Sequence, residues 1–224
     1  MKRKLAILGI AGISLMGSLT VQAQKTEKLF NGKNLSNWEF IVDKNSTPAE
    51  QVFSVKDGLI QIAGQPFGYM YTKQKYSNYK LHVEWRWPDG KEANSGIFLL
   101  IEDLKSPFPN GIECQLHAGD AGDFVLLGGS DLAEYQNKPG QPRPAFPVVK
   151  KHTQSSEVKA GEWNEANIFV KDGVITVYVN GIYQNTGTNK VKEGHIGLQS
   201  EGGPQCHIDS VGINNMRERS LIAP

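Results

Sequence analysis

The feature that most constrains the fold is a series of Asn-Gly and Asp-Gly dipeptides between short runs of alternating polar and apolar residues. Both positions of such a dipeptide tolerate the left-handed backbone conformation that a tight two-residue hairpin turn requires. The dipeptides lie at residues 57–58, 89–90, 110–111, 172–173 and 180–181. The runs that they separate are short and alternate with period two, so the sequence predicts antiparallel strands.

The strand patterns extend along most of the chain, and little of it has helical periodicity. The patterned runs are residues 51–55, 59–62, 69–72, 79–87, 97–102, 112–117, 124–127, 166–170, 174–179, 195–200 and 205–213. About a dozen strands in one domain imply two packed antiparallel sheets. The predicted fold class is therefore all-β, a sandwich or jelly roll, in a single domain that spans residues 24–224.

The N-terminal segment, residues 1–23, has the pattern of a secretory signal peptide. Basic residues at positions 2–4 precede an apolar stretch at residues 5–19, and small residues lead to a cleavage site after Ala23. An uncleaved anchor helix is the alternative, but the apolar stretch is shorter than the ~20 residues that a membrane span needs. The sequence predicts a periplasmic or secreted protein that keeps no membrane anchor after cleavage.

Charge and cysteine content exclude several classes of function. The formal net charge of +1 does not predict a basic face for nucleic acid. Motifs for a serine-hydrolase nucleophile, a phosphate-binding loop, a Cys-x-x-Cys site and a His-Glu-x-x-His site are missing from the sequence. Cys114 and Cys206 fall on the apolar phases of their strands, so we expect two buried free thiols rather than a disulfide.

Residues 134–157 interrupt the strand pattern. Four prolines between positions 139 and 147 exclude a central strand there. Arg143, Lys150, Lys151 and His152 make the segment basic. It is predicted to be either a functional loop that closes over an oxygen-rich ligand or a solvated surface loop, and composition leaves both interpretations open.

Three predicted strands carry titratable and amide side chains along one face. In a two-sheet sandwich such rows belong on an outer face, because the inner faces form the core. An outer face that curves inward would form a polar groove, where carboxylates and amides bind sugar hydroxyls; a wet outer face is the alternative. The rows are His82, Glu84 and Arg86; Glu113, Gln115 and His117; and His195, Gln199 and Glu201.

Six segments of the chain, in this order, resemble the 3-keto-disaccharide hydrolase family, which is also described as a domain of unknown function and as a glycosyl hydrolase. The resemblance implies a concanavalin A-like jelly roll, export, and action on glycosides that a partner sugar 3-oxidoreductase has oxidised at C3. The segments are KLFNGKNLSNWEF (28–40), NSGIFL (94–99), GIECQLHAGD (111–120), GEWNEANIFV (161–170), VYVNG (177–181) and GHIGLQSEG (194–202). Residues 207–210 depart from the family pattern.

A 3-keto sugar allows cleavage without the two carboxylates of an ordinary glycosidase. The ketone acidifies the C2 hydrogen, so a base forms an enolate, the aglycone leaves C1 by β-elimination, and water adds to the enone. We expect Glu113 or His117 to be the base. Arg86 or a divalent cation would stabilise the enolate, and His195 is the candidate acid for the leaving group.

The remaining candidates are substrate-binding and metal-binding residues. Glu113, His117 and Asp120 offer ligands to a divalent cation, although the aspartate is equally suited to capping a turn. The substrate-binding candidates are Glu84, Asn94, Gln115, Arg143, Gln199 and Glu201.

Three alternative functions remain open. A non-catalytic carbohydrate-binding module would share the groove. An ordinary retaining glycosidase would need a second carboxylate, from Glu84 or Glu201, beside Glu113. An envelope structural or adhesion protein would predict repeats or an anchor.

Overall fold

The computed structural model describes residues 26–203 and 206–216, so the predicted signal peptide lies outside the described residues. The described residues contain a one-turn helix, α1 (Ala49–Val52), and short 3₁₀ helices at Asp43–Asn45 and Pro88–Gly90. The strands are β1 (Glu27–Lys28), β2 (Trp38–Val42), β3 (Phe53–Lys56), β4 (Leu59–Ile62), β5 (Gly68–Thr72), β6 (Tyr79–Arg86), β7 (Gly96–Asp103), β8 (Asn110–Gln115), β9 (Phe124–Leu127), β10 (Val148–Val149), β11 (Asn164–Lys171), β12 (Val174–Val179), β13 (Ile182–Thr188), β14 (His195–Ser200) and β15 (Cys206–Asn215). Among these residues no helix is long and apolar enough to cross a membrane.

The strands form two antiparallel sheets, which confirms the predicted all-β jelly-roll sandwich. The first sheet has the order β13-β12-β11-β6-β15-β4-β3, and β1 pairs with the end of β15. The second sheet has the order β10-β9-β8-β7-β14-β5-β2. Strands that are adjacent in sequence therefore often belong to different sheets, and each sheet has one face toward the core and one face outward.

The core lies between the sheets and receives every second side chain of the central strands. Strand β6 buries Leu81, Val83 and Trp85 from the first sheet, and β8 buries Ile112 and Cys114 from the second. All are fully buried, as the alternation predicts. Trp85 and Trp87 are both buried in the core, and the expected free, buried cysteines at 114 and 206 are confirmed.

Three of the predicted tight turns have the expected backbone. Both residues of the dipeptides at 57–58, 172–173 and 180–181 have positive φ angles, as a two-residue hairpin turn requires. The dipeptide at 110–111 instead opens β8. A Cβ at Gly111 would lie 3.1 Å from the Leu99 carbonyl oxygen of β7, so the glycine permits close packing of two strands rather than a turn.

Several elements differ from the sequence-based prediction. Residues 51–52, predicted as strand, end helix α1. Strand β13 was not predicted because its sequence, IYQNTGT, is mostly polar, and β2 was not predicted because its apolar residues do not alternate cleanly. Both are edge strands, for which burial constrains the sequence on fewer sides.

The basic loop at residues 134–157 is fastened to the turn that follows β8. Asp123, only 2% exposed, accepts hydrogen bonds from Lys150 Nζ at 2.7 Å and from the Lys151 backbone N–H at 2.8 Å. The Glu157 carboxylate accepts the backbone N–H groups of Gly119 and Ala121 at 3.0 and 3.2 Å. The bond to Asp123 raises the pKa of Lys150. These contacts hold the loop against the sandwich and fix the position of the turn.

We predict that Asp123→Ala lowers the free energy of unfolding by about 2 kcal/mol, because hydrogen bonds to a buried charged group contribute roughly 1.5–3 kcal/mol. Urea denaturation followed by tryptophan fluorescence measures the change. Asp131→Ala is the control, since it removes an exposed ion pair with Arg143 (3.0 Å) that should contribute less than about 1 kcal/mol. Equal losses in the two variants would show that Asp123 does not fasten the loop.

Candidate active site

The candidate site lies on the outer face of the second sheet and is centred on Glu113. This residue is in the middle of β8, opposite in phase to the core residue Cys114. Its partners on the neighbouring strands are Phe98 of β7 and Val125 of β9. Although Glu113 points away from the core, its side chain is only 2% exposed. Glu113, the first residue of its polar row, is therefore shielded from water.

A second apolar cluster on this outer face buries Glu113. Segment 104–109, which follows β7, folds back over the face, where Phe108 packs on the cluster and the Tyr69 hydroxyl donates to the Lys105 carbonyl oxygen at 3.0 Å. Burial raises the pKa of Tyr71, a member of the cluster, to about 12. The cluster consists of Tyr69, Tyr71, Phe98, Ile101, Val125 and Leu127.

Gly96 provides the space that the Glu113 carboxyl group occupies. A Cβ at Gly96 would lie 2.3 Å from Glu113 Oε1, closer than atoms in proteins approach. Gly96 pairs with Gln115 in the same sheet, one step along β8 from Glu113. The carboxyl group therefore lies over the backbone of β7, in the direction of β14, which is the next strand of the sheet.

Strand β14 brings Gln199 and Glu201 to the same end of the face. Gln199 Nε2 donates to Glu201 Oε2 at 2.7 Å, and the backbone of Glu201 forms a bridge with Asn94. The Ser95 hydroxyl donates to the Gln199 carbonyl oxygen at 2.8 Å and so fixes β14 against the start of β7. The structure thus places four predicted site residues together: Asn94, Glu113, Gln199 and Glu201.

The two carboxyl groups of this cluster influence each other electrostatically. Burial, followed by the charge of Glu201, raises the pKa of Glu113 well above the ordinary value of 4.5. Burial also raises the pKa of Glu201, but the hydrogen bond from Gln199 and the charge of His117 oppose that rise. Both carboxyl groups therefore hold a proton more readily than an exposed glutamate does.

Three buried oxygen atoms of this cluster have no hydrogen-bond donor among the described residues. They are Asn94 Oδ1, Glu113 Oε1 and Gln199 Oε1. A buried acceptor without a donor costs free energy, so such atoms are rare and are typical of sites that receive a ligand. Sugar hydroxyl groups are donors that suit these acceptors.

His117 lies beyond the end of β8 rather than in it, which corrects the predicted strand boundary. Gln115 Oε1 accepts the backbone N–H groups of Leu116 and His117 at 2.9 and 2.8 Å, and this caps the turn. His117 Nδ1 is 3.2 Å from Asp120 Oδ2, and half of its side chain is exposed. Gln115 and Asp120 thus orient a solvent-accessible imidazole beside Glu201.

The predicted metal-ligand set of Glu113, His117 and Asp120 does not assemble. Within residues 26–203 and 206–216, no three His, Cys, Asp or Glu side chains come together as a metal site. The oxygen atoms that do lie in the cluster around Glu113 belong to carboxyl groups and to the amides of Asn94 and Gln199. Such oxygens are the ligand type that hard divalent cations prefer.

Two predicted site residues, Glu84 and Arg86, require correction. They lie on β6, whose outward face belongs to the first sheet, so the core separates them from Glu113. Glu84 Oε1 is 2.9 Å from His82 Nε2, and the Arg86 guanidinium stacks 4.7 Å from the centre of the Trp163 ring. His82 Nδ1 also lies 3.2 Å from Asn167 Oδ1, so its ring is held between two neighbours on the first sheet.

His195 and Arg143 are also outside the carboxyl cluster. His195 is at the opposite end of β14 from Gln199, and its Nδ1 donates to the Thr72 carbonyl oxygen at 2.7 Å. Arg143 donates to the Ser130 carbonyl oxygen at 2.9 Å, near the end of β8 that is remote from Gln115. The prediction that either side chain acts beside Glu113 is not supported by these positions.

The sequence-based interpretation missed Gly96, Phe98 and Phe108. Gly96 and Phe98 lie within the NSGIFL segment, so that motif could have identified them. No local sequence pattern indicates that Phe108 folds back over the sheet.

Residues 25–214 match a protein family described as a 3-keto-alpha-glucoside-1,2-lyase-like domain. A 3-keto-disaccharide hydrolase of Bacteroides thetaiotaomicron is 26% identical over 180 residues, which are 70% of this chain and 56% of that protein. The chain thus spans about half the length of this curated relative.

Solved structures share the fold at low sequence identity. A candidate glycosyl hydrolase from Parabacteroides distasonis superposes with a TM-score of 0.61 at 20% identity and covers 86% of this chain and 94% of its own. The carbohydrate-binding module CBM66 from Bacillus subtilis gives a TM-score of 0.56 at 11% identity, over 80% of this chain and 96% of its own. Both likenesses show a common jelly-roll fold.

We predict that Glu113→Gln stabilises the protein more at higher pH. The folded state holds the proton of Glu113 more tightly than the unfolded chain, so the wild type loses stability as pH rises from 4.5 toward the raised pKa of the folded state. Glutamine carries no such charge. Urea denaturation at about pH 5 and pH 8 should show a gain in the free energy of unfolding that grows with pH. The control is Glu50→Gln, on the exposed surface; equal gains at both pH values would contradict the burial argument.

Proposed function

The chain belongs to the 3-keto-alpha-glucoside-1,2-lyase-like family, and on this premise we propose that it cleaves the glycosidic bond of glycosides whose sugar carries a ketone at C3. The observation that carries the proposal is the cluster on the second sheet: two interacting carboxyl groups beside two amide oxygens, with those amide oxygens and Glu113 Oε1 all buried and without a donor among the described residues. The acceptors would bind sugar hydroxyls, and the carboxyl pair would move protons.

The proposed reaction begins with removal of the C2 proton. The electron pair of the C2–H bond forms an enolate with the C3 ketone, and its return expels the aglycone oxygen from C1, which takes a proton and leaves as an alcohol. Water then adds to the enone, with its hydroxyl on C1 and a proton on C2. The sum is hydrolysis, and each step needs one proton donor or acceptor.

We assign the base to Glu201 and the leaving-group acid to Glu113. Burial raises the pKa of both carboxyl groups, but at Glu201 the hydrogen bond from Gln199 and the charge of His117 oppose that rise, so we take Glu201 as the member that ionises more readily. Glu113 also has apolar cross-strand neighbours, Phe98 and Val125, while Glu201 lies among polar groups. This assignment replaces the sequence-based choice of Glu113 or His117 as base and leaves His117 as a neighbour of Glu201.

The enolate oxygen needs a partner that Arg86 is too remote to supply. The amide nitrogen of Asn94 is one candidate donor beside Glu201. A divalent cation held by the amide oxygens of Asn94 and Gln199 would polarise the ketone instead, and it would leave both carboxyl groups free to move protons.

The cellular context stays a proposal that rests on the sequence. We propose export through the signal peptide at residues 1–23, and a sugar 3-oxidoreductase as the functional partner that supplies the ketone. A substrate with an ordinary hydroxyl at C3 has no acidified C2 hydrogen, so the enzyme depends on prior oxidation.

Proton NMR in D₂O tests the proposed reaction, with a glucoside and its 3-keto counterpart incubated with the purified protein. We expect cleavage of the keto compound alone, with deuterium appearing at C2. Equal cleavage of both without deuterium would identify an ordinary glycosidase that uses the same carboxyl pair. Binding of both without cleavage would identify a carbohydrate-binding module.

The paired variants Glu113→Gln and Glu201→Gln should separate the two roles. Loss of a general acid or base lowers rates by about 10²–10⁴-fold. Glu201→Gln should lose that much on every 3-keto glucoside, together with deuterium exchange at C2. Glu113→Gln should lose activity only on 3-keto glucosides with alkyl leaving groups. It should keep its activity on p-nitrophenyl 3-keto glucoside, because p-nitrophenolate leaves without protonation. The converse pattern, with exchange lost in Glu113→Gln, would make Glu113 the base.

A further inference from the structure

We propose that the substrate carries an apolar, aryl-type aglycone, which binds against an aromatic wall beside Glu113; this inference rests on the proposed function. The wall consists of the rings of Phe67, Phe108 and Phe146. The Phe108 ring lies between the other two, with ring centres 6.0 Å from Phe67 and 5.0 Å from Phe146. Three separate segments of the chain thus meet in one row of aromatic side chains.

The wall is exposed to solvent where a ligand could reach it. Phe67 is 40% exposed and Phe146 is 47% exposed. Leu104 and Val148, from the same segments, are also large apolar residues with exposed surface. Burying a phenyl ring against such a surface is favourable because it removes apolar area from water.

The wall is continuous with the carboxyl cluster. Phe108 packs on the apolar cluster that contains both cross-strand partners of Glu113, which are Phe98 and Val125. Val148 is in turn the partner of Val125, so it lies in the same row across the sheet as Glu113. The apolar surface therefore begins at the residue assigned to protonate the leaving oxygen.

Hydrogen bonds hold the wall in place without a ligand. The Lys105 carbonyl oxygen accepts the Tyr69 hydroxyl at 3.0 Å, and the Ser106 hydroxyl donates to Asp43 at 3.3 Å. On the other side, the Pro147 carbonyl oxygen accepts the Leu126 backbone N–H at 2.9 Å. Because these bonds fix both loops, the aromatic surface is already formed before a ligand binds. Binding therefore costs little further conformational entropy.

The two halves of the face thus differ in chemistry. Asn94, Gln199 and Glu201 offer hydrogen bonds to the sugar, whereas the wall offers aromatic and aliphatic surface. A second sugar would stack a C–H face on these rings and its hydroxyls would gain no hydrogen bonds from them, whereas an aryl group buries apolar area over its whole face. The geometry fits a sugar ring over the carboxyl pair and an apolar aglycone against the phenylalanines.

The test compares two 3-keto glucosides whose leaving alcohols have similar acidity, 2-phenylethanol and 2-methoxyethanol. Matching acidity removes the effect of leaving-group chemistry on the rate. We expect the wild type to favour the phenylethyl compound in kcat/KM by about 10-fold or more, as burial of one phenyl ring allows. Phe146→Ala and Phe67→Ala should each reduce that preference to about 3-fold or less, because most of the loss in kcat/KM should fall on the phenylethyl compound.

Ile182→Ala is the matched control, because Ile182 is 51% exposed on the first sheet; it should keep the full preference. No preference in the wild type, equal losses on both substrates, or a changed oligomeric state in the phenylalanine variants would overturn the proposal, the last by showing that the wall contacts a second copy. Failure to consume either 3-keto glucoside would instead refute the proposed function.

Discussion

Burial of the Glu113 carboxyl group is the constraint around which the outer face of the second sheet is organised. A carboxylate among apolar side chains loses hydration, and the cost is several kcal/mol unless partners replace the lost water. Here Glu113 Oε1 has no donor among the described residues, so none of them replaces the hydration that this oxygen loses. Gly96 leaves room for the group, and the apolar cluster keeps water away from it. The sandwich core, built from both sheets, must offset this cost.

The fold class could be predicted because its causes are local. Alternation and hairpin dipeptides fix strands and turns within a few residues, as the turns at 57–58, 172–173 and 180–181 demonstrate. The prediction was wrong where long-range packing decides. Gly111 accommodates the backbone of β7 instead of a turn, and the polar strand β13 is stabilised by its pairing with β12.

The candidate site could be predicted only in part, since alternation shows which residues share a face of a strand but not which sheet the strand joins. Strands β8 and β14 both border β7, so Glu113, Gln199 and Glu201 do meet. Strand β6 has an equally polar row, but it belongs to the first sheet. Glu84 and Arg86 are therefore not part of the candidate site. The cover formed by residues 104–109 depends on a contact with β5 that no local pattern encodes.

The burial of Glu113 bears on whether this protein is an enzyme or a carbohydrate-binding module, because the same fold occurs in both kinds of protein. A site that only binds sugar gains nothing from a carboxyl group with a raised pKa, because an ionised, partly hydrated carboxylate accepts hydroxyl groups more strongly. A proton donor at neutral pH, by contrast, requires a carboxyl group that still holds its proton there. Burial raises the pKa of both carboxyl groups, and only at Glu201 do a hydrogen bond from Gln199 and the charge of His117 oppose that rise, so the two members of the pair have different environments. Such a difference is typical of acid–base catalysis. The free energy spent on burying Glu113 therefore favours an enzyme over a binding module.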